Sequence, residues 1–157
     1  MAIRNPTDLK RMLKRGQRIL GLDVGTKTIG LAISDASLTV ASPVETLART
    51  KFTQDRERIA RIIAERDVGA LVIGLPVSMS GAEGPRCQSV RQFAHNLLEQ
   101  IDIDIAFWDE RLSTAAVERT LLEADVSRRR RARVIDKMAA AYILQGALDR
   151  MAQEAPP

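Results

Sequence analysis

Two apolar runs, RILGLDV (residues 18–24) and IGLAISD (residues 29–35), decide the fold, and only the short turn GTKT separates them. Runs of this length that flank a glycine-containing turn predict two buried strands paired antiparallel. A third strand is predicted over LTVASPVETL (residues 38–47). Pro43 places this strand at a sheet edge or breaks it, because proline cannot donate to a strand ladder. The opening of the chain therefore predicts a three-stranded antiparallel sheet.

After this sheet the apolar periodicity alternates between helix and strand. The predicted elements are a helix with Thr53 as its N-cap, the strand ALVIGLP (70–76), a helix that starts at Pro85, the strand DIAFWD (104–109), a helix from Ser113 or Thr114 to about Glu123, and a long final helix after the run RRRRAR (128–133). Strands that are joined through helices add to a sheet in parallel. The sequence thus predicts an α/β fold with a mixed five-stranded sheet, three antiparallel strands then two parallel, flanked by helices.

The length of 157 residues suits one domain with a real core. We predict a basic N-terminal extension over residues 1–17, one domain over residues 18–150 and a disordered tail over residues 151–157. No apolar run approaches the roughly 18 residues of a membrane span, and the N-terminus lacks the apolar region of a secretory signal. Cys87 is the only cysteine, which fits a reducing compartment. We therefore expect a cytoplasmic protein that does not bind membranes.

Positive charge is concentrated in short segments, although the net charge is only +4. The run RRRRAR over residues 128–133 suits a polyphosphate partner, and a solvated basic loop is the alternative interpretation. These segments favour a nucleic-acid partner. The predicted nucleic-acid contacts are Lys27, Arg86, Arg111, Arg128, Arg129, Arg130, Arg131 and Arg133.

Three acids occupy unusual positions. Asp23 lies in an apolar strand, where an unpaired charge is costly. Glu110 follows the strand DIAFWD, at the carboxyl end where ligands gather in parallel sheets. Asp136 lies in the helical segment VIDKMAAAYILQ, whose alanines permit close backbone approach. The alternatives are that Asp23 caps the turn after its strand, that Glu110 forms a surface salt bridge or caps a helix, and that Asp136 pairs with Lys137 or Arg133. Together the three acids predict a catalytic carboxylate cluster.

A carboxylate cluster needs a cation, because like charges at close range repel each other. Carboxylates and water are hard oxygen ligands, which favours Mg²⁺ or Mn²⁺. His95 and Cys87 are the only candidates for softer ligation, which disfavours zinc. Two ions about 3.5–4 Å apart can activate a water and stabilise the leaving oxygen of a phosphodiester. We therefore predict a nuclease with Asp23, Glu110 and Asp136 as both catalytic residues and metal ligands.

Four strings, GLDVGTKTIGLAISD, VIGLPVSMSGAEGPR, DERLST and VIDKMAAAYILQGALD, resemble the YqgF (RuvX-like) family in order and spacing over about residues 18–150. The resemblance implies an RNase H-like fold related to that of RuvC, with the same three acids. It implies a nuclease that matures the 5′ end of pre-16S ribosomal RNA, and a Holliday junction resolvase has also been proposed. Many RNase H-like enzymes carry an acid after the fourth strand, where this chain has Gly74-Leu75-Pro76.

Two other classes of function are consistent with parts of the sequence. LDVGTKTIG also resembles the phosphate loop of actin, Hsp70 and sugar kinases, but a second such loop is missing from this sequence. A non-catalytic RNA-binding ribosome-assembly factor would use the same basic segments. Structured RNA precursors and branched DNA both remain open as substrates. A single RNA end suits a monomer, whereas a symmetric junction calls for a dimer, so a monomer or a weak homodimer is expected.

Overall fold

The computed structural model of the chain describes residues 2–78, 80–112 and 128–153, with side chains from residue 137 onward in the last range. The strands are β1 (Ile3–Arg4), β2 (Arg18–Val24), β3 (Thr28–Ser34), β4 (Ala41–Ala48), β5 (Val68–Leu75) and β6 (Asp104–Asp109). The helices are α1 (Pro6–Met12), α2 (Phe52–Glu65), α3 (Pro85–Gln100) and α4 (Arg128–Gln153), and a 3₁₀ turn (Glu110–Leu112) follows β6. The predicted helix from residue 113 to 123 lies outside the described residues.

The strands form one mixed sheet in the order β1-β6-β5-β2-β3-β4. β3 pairs antiparallel with β2 and β4, whereas β5 pairs in parallel with β2 and β6. The predicted α/β class and the predicted strand directions are therefore confirmed. The sheet has six strands rather than the predicted five, because Ile3 and Arg4 pair with Ile105 and Ala106 at its edge.

The sheet separates two apolar cores, because successive residues of a strand point to opposite faces. In β2, Leu20 and Leu22 belong to the core that α2 and α3 cover. Ile19 belongs to the core that α1 and α4 cover. By the same alternation, Asp23 points to the face that α4 covers. The fold therefore places this acid beneath the helix that carries Asp136.

Small residues let α4 lie close to the sheet. A Cβ atom added at Gly21 would lie only 2.8 Å from Cβ of Leu144 and 3.2 Å from the carbonyl oxygen of Ala140. Such distances are too short for a real side chain, so glycine permits the close approach of α4 to β2. In the described part of the chain, neither α4 nor any other helix is long and apolar enough to cross a membrane.

Both ends of the chain contribute to the packing. Leu9 of α1 is fully buried in the core beneath α4. The N-terminal segment is thus packed against the domain, although its boundary at residue 17 stays a prediction. At the other end α4 continues to Gln153, and Met151 is only 2% exposed. The predicted disordered tail was therefore placed too early, because residue 151 belongs to the core; residues 154–157 lie outside the described residues.

Pro43 lies where the sequence predicts. β4 is the edge strand of the sheet, and its pairing with β3 shifts register between Leu31 and Ala32, opposite Pro43. Proline is tolerated at such positions because no neighbouring strand needs its missing N–H group.

Candidate active site

Asp23 lies one residue before the end of β2 and is only 7% exposed. Its partner on β3 is Gly30. On the other side, the last pair between β2 and β5 joins Leu22 to Ile73, so Gly74 follows as the next residue of β5 beside Asp23. The neighbouring strands therefore present glycines, rather than side chains of their own, beside Asp23.

Glu110 reaches the same place from β6. It is the first residue of the 3₁₀ turn that follows this strand, and it is half-buried. A Cβ atom added at Gly74 would lie 2.9 Å from Oε1 of Glu110 and 2.5 Å from Cδ1 of Ile143. The Glu110 carboxylate therefore lies in the space that a side chain on β5 would need. Because β5 lies between β2 and β6, Asp23 and Glu110 flank Gly74 from opposite sides.

This pair of carboxylates fits a divalent cation. Both groups offer oxygen atoms, which are the ligands that Mg²⁺ and Mn²⁺ prefer. Neighbouring carboxylates raise each other's electrostatic energy, and a cation between them lowers it. Because Gly74 has no side chain, the carboxylate that approaches this position of β5 comes from Glu110 after β6.

Asp136 lies on α4, and its side chain is outside the described part of the structure. Position 136 comes one helical turn before Ala140, whose carbonyl approaches Gly21, and seven residues before Ile143, which contacts the site at Gly74. Among the described residues, no three His, Cys, Asp or Glu side chains form a complete metal site. The role of Asp136 as the third ligand stays a prediction.

Neither His95 nor Cys87, the candidate nitrogen and sulfur ligands, is suited to bind a metal together with Asp23 and Glu110. His95 is exposed on α3. Cys87 is fully buried, and burial raises the pKa of its thiol, so the thiolate form that binds metals is disfavoured.

Arg111 is next to Glu110, but its charge is already balanced. Its Nη2 donates to Oδ2 of Asp109 at 2.6 Å, and Nε donates to both oxygens of the same carboxylate. Donation from Arg111 lowers the pKa of Asp109, and the carboxylate raises that of Arg111. The loop before α3 approaches this pair, since a Cβ atom at Gly81 would lie 3.7 Å from Nη1 of Arg111. Arg111 is therefore a weaker candidate for phosphate binding than its position in the sequence suggests.

Two other arginines line a cavity at the end of β2. Arg86 was predicted as a nucleic-acid contact, and its Nη2 donates to the carbonyl of Val24 at 3.3 Å. Arg49 was not predicted, yet its Nη1 donates to the carbonyl of Gly25 at 2.7 Å. The pairing of β3 with β4 puts Arg49 beside this turn, because Ala48 pairs with Thr28. Only a strand register, which the sequence alone does not provide, could have identified Arg49.

For the other predicted nucleic-acid contacts the structure describes the position in the fold but gives no contact that would test the prediction. Lys27 is exposed in the turn between β2 and β3. The arginines of the basic run lie in the first turns of α4, and their side chains are outside the described part of the structure; they are Arg128, Arg129, Arg130, Arg131 and Arg133.

Comparisons with known proteins agree with this architecture. The family model described as "RuvX: Holliday junction resolvase" matches residues 17–150. A protein of Paramagnetospirillum magneticum is 64% identical over 95% of this chain and 96% of its own length, and one of Rhodospirillum centenum is 61% identical over 98% of this chain and 84% of its own length. Both carry the name "Putative pre-16S rRNA nuclease".

The fold resembles solved structures of RuvC. Thermus thermophilus RuvC superimposes with a TM-score of 0.53 at 12% identity, covering 90% of this chain and 100% of that chain. RuvC from T. thermophilus bound to a Holliday junction gives a TM-score of 0.55 at 11% identity, covering 90% of this chain and 99% of that chain. At such low identity the likeness establishes the RNase H-like fold.

Proposed function

We propose that this chain, which belongs to the RuvX family, hydrolyses phosphodiester bonds at the 5′ end of precursor 16S ribosomal RNA in a metal-dependent reaction. Membership of this family makes the chain a nuclease, a hydrolase that acts on phosphodiester bonds. The approach of Asp23 and Glu110 to Gly74 carries the proposed assignment of the active site. Homologues named for pre-16S rRNA support the choice of substrate.

Asp23 and Glu110 would hold Mg²⁺ or Mn²⁺, with Asp136 as a third ligand and two ions as the expected number. Such ions activate a water at neutral pH and stabilise the charge that develops on a phosphodiester. The oxygen-only donor set of the described pair fits these ions and disfavours zinc.

The protein's own contribution is to hold these groups in place. Asp23 lies in the central strand β2, and Glu110 lies in the 3₁₀ turn at the end of β6, with β5 between the two strands. Glycine at position 74 provides room for the Glu110 carboxylate, and Gly21 lets α4 close over β2. Sites built on packed strands and helices hold their geometry better than sites built on loops. The limited exposure of Asp23 also restricts the access of bulk water.

RNA is the substrate that we favour, and the basic run at the start of α4 supplies positive charge for its phosphates. One cleaved strand end needs one active site, so a monomer is sufficient, with a weak homodimer as the alternative. Such a precursor is processed in the cytoplasm, which is the location that we propose. A Holliday junction is the second candidate, because the family description names it. That substrate would require a dimer with two active sites.

One experiment tests the reaction and the substrate together. A 5′-extended fragment of precursor 16S rRNA and a four-way DNA junction are incubated with the protein in Mg²⁺, Mn²⁺ or EDTA. We expect cleavage of the RNA with either metal and none in EDTA, and we expect Asp23→Asn to bind RNA without cleaving it. Preferential cleavage of the junction would favour the resolvase, and full activity of Asp23→Asn would remove the proposed active site.

A further inference from the structure

A small cavity beside the candidate active site has the size of a phosphate site. Its volume is about 70 Å³, and Gly25 and Thr26 line it at the end of β2. Pockets for drug-sized ligands measure roughly 300–1,000 Å³. The cavity is therefore too small for a nucleoside but suits a single phosphate. Ser89 of α3 and the two arginines Arg49 and Arg86 also line it.

Arg49 and Arg86 bring positive charge to this cavity. Arg49 donates to the carbonyl of Gly25, and Arg86 donates to the carbonyl of Val24. Carbonyl groups are neutral, so each guanidinium keeps its full charge. Within the described ranges, neither of them forms an ion pair. A guanidinium has five N–H donors, so most remain for an anion.

The other arginines close to the site are different. Arg91 donates from Nε and Nη2 to both oxygens of Glu83, at 2.6 and 2.9 Å. Arg111 is bound in the same bidentate way by Asp109. These carboxylates largely cancel the charges of their partners. Of these four arginines, whose side chains the structure describes, Arg49 and Arg86 at the cavity are the two whose charge is not balanced by a carboxylate.

Arg49 is also held in position before a ligand arrives. Its guanidinium carbon lies 5.3 Å from the centre of the Phe93 ring, which is only 4% exposed. Phe93 packs edge-to-face against Phe52 with 5.6 Å between ring centres. A guanidinium stacked on a fixed ring loses little freedom when it binds an anion. Thr26 and Ser89 add hydroxyl groups that can donate to phosphate oxygens.

We propose that Arg49 and Arg86 bind a backbone phosphate of the nucleic acid next to the phosphate that is cleaved. This inference rests on the proposed function, because it takes cleavage to occur at Asp23 and Glu110. Asp23 directly precedes the residues of β2 and its turn that line the cavity. A nucleic-acid strand that passes the carboxylate pair can thus place its next phosphate in the cavity. Arg49 and Arg86 are positioning residues, and their contact is independent of base identity.

Binding of RNA measures the contribution of the cavity without cleavage. The full chain is titrated in EDTA with a fluorescent fragment of precursor 16S rRNA. We expect Arg49→Gln and Arg86→Gln each to weaken binding by about 10- to 100-fold, as for a lost charge-assisted hydrogen bond. Arg49→Lys and Arg86→Lys should fall between wild type and the glutamine variants. Arg91→Gln, on the same helix as Arg86, should bind within about twofold of wild type, because Glu83 already balances that charge.

A scan of neutral phosphates identifies the phosphate that occupies the cavity. Single methylphosphonates are placed around the cleavage site, and KM and kcat are measured separately. In wild type, one position beside the cleaved bond should raise KM by about tenfold with little change in kcat. The same substitution should have a smaller effect in Arg49→Gln, where Arg86 remains, and no further effect when both arginines are replaced by glutamine. Additive effects of the variant and the neutral phosphate at every position would overturn the inference.

The results distinguish failure of the proposed phosphate site from failure of the proposed nuclease site and from unfolding of a variant. Thermal unfolding of each variant shows that it is folded, and the lysine variants preserve a donor if glutamine unfolds the turn. Weaker binding by the Arg49 and Arg86 variants, with no cleavage by wild type, would support the cavity and overturn the nuclease site. Normal cleavage that depends on Asp23, with unchanged binding by these variants, would overturn the cavity and leave the nuclease site intact.

Discussion

Two regions of the molecule bury a carboxylate, and they do so in opposite ways. At the start of α2, Asp55 is 1% exposed and accepts hydrogen bonds from the backbone and hydroxyl of Thr50 and from Arg58 at 2.7 Å. At the end of β2, Asp23 is 7% exposed and lies beside Gly74 of β5, where the carboxylate of Glu110 occupies the space of the missing side chain. Burial alone therefore does not identify a catalytic acid. The hydrogen bonds from Thr50 and Arg58 explain Asp55 as a structural acid, whereas Asp23 lies close to a second carboxylate, as a candidate metal ligand does.

The largest expected effect is on the activity of Asp23→Asn. Metal coordination contributes several kcal/mol to phosphodiester cleavage, so the loss of one ligand should lower kcat by about 1,000-fold or more. Its free energy of unfolding in EDTA should fall by less than that of Asp55→Ala, because repulsion from the neighbouring Glu110 carboxylate is also removed. The measurements are cleavage of the RNA fragment and denaturant unfolding. A large loss of stability without metal would assign Asp23 a structural role like that of Asp55.

Asp55→Ala should show the reverse pattern. Its removal leaves Arg58 and the donors of Thr50 without their partner, which should lower the free energy of unfolding by about 3 kcal/mol. Activity per folded molecule should be unchanged. Asp35→Ala is the less buried control, because Asp35 is half-buried and accepts comparable hydrogen bonds from Ser37, Thr39 and Val40. Equal losses of stability in the two variants would show that burial of the acid is irrelevant.

Gly74→Ala tests the geometry of the carboxylate pair. The added methyl would collide with Glu110 and Ile143, and a displacement of about 1 Å can lower the rate about 100-fold. Gly69→Ala is the matched control on the same strand, because its methyl would be equally crowded, 2.5 Å from Leu13 Cδ2 and from Gln17 Oε1. We expect both variants to lose some stability and only Gly74→Ala to lose kcat. Parallel losses of kcat would mean that general disruption of β5, rather than Glu110, is responsible.

The smallest expected effect is on the pH dependence of stability. Burial by itself raises the pKa of Asp55, but donation from Arg58 and Thr50 outweighs it, so the pKa lies below its usual value. Its contribution is therefore present above the unfolded pKa of about 3.9 and is lost as the pH falls through the folded pKa. The difference in unfolding free energy between wild type and Asp55→Asn should shrink from about pH 6 to about pH 3. A constant difference would contradict the role of the ionised form.

Local periodicity predicted most of the fold, because the long strands and helices carry it strongly. β2 and β6 begin and end where the sequence places them. β1 was missed because two residues have no period, and its pairing with β6 joins residues that are distant in the chain. The sequence predicts Thr53 as the N-cap of α2, but the helix begins at Phe52, which places Thr53 inside its first turn. The side chain of Asp55 accepts a hydrogen bond from the backbone N–H of Thr50, which precedes the helix.

The acids of the candidate site were predicted more readily than the cations. Asp23 and Glu110 are conspicuous because each interrupts or follows an apolar strand. Arginine is common throughout this chain, so no local pattern separates Arg49 from its neighbours, and its position depends on the register of β4. The ion pair between Asp109 and Arg111 was also beyond the sequence, since it depends on the conformation of the turn after β6. Which arginines are balanced by a carboxylate depends on contacts that form only in the folded chain.

The most direct test of the shared cation is calorimetric titration of the full chain with Mn²⁺, compared among wild type, Asp23→Asn and Glu110→Gln. If the two carboxylates bind one ion together, wild type binds Mn²⁺ and each substitution weakens the affinity by about 10-fold or more. Wild-type affinity in both variants would contradict a common metal site at Gly74.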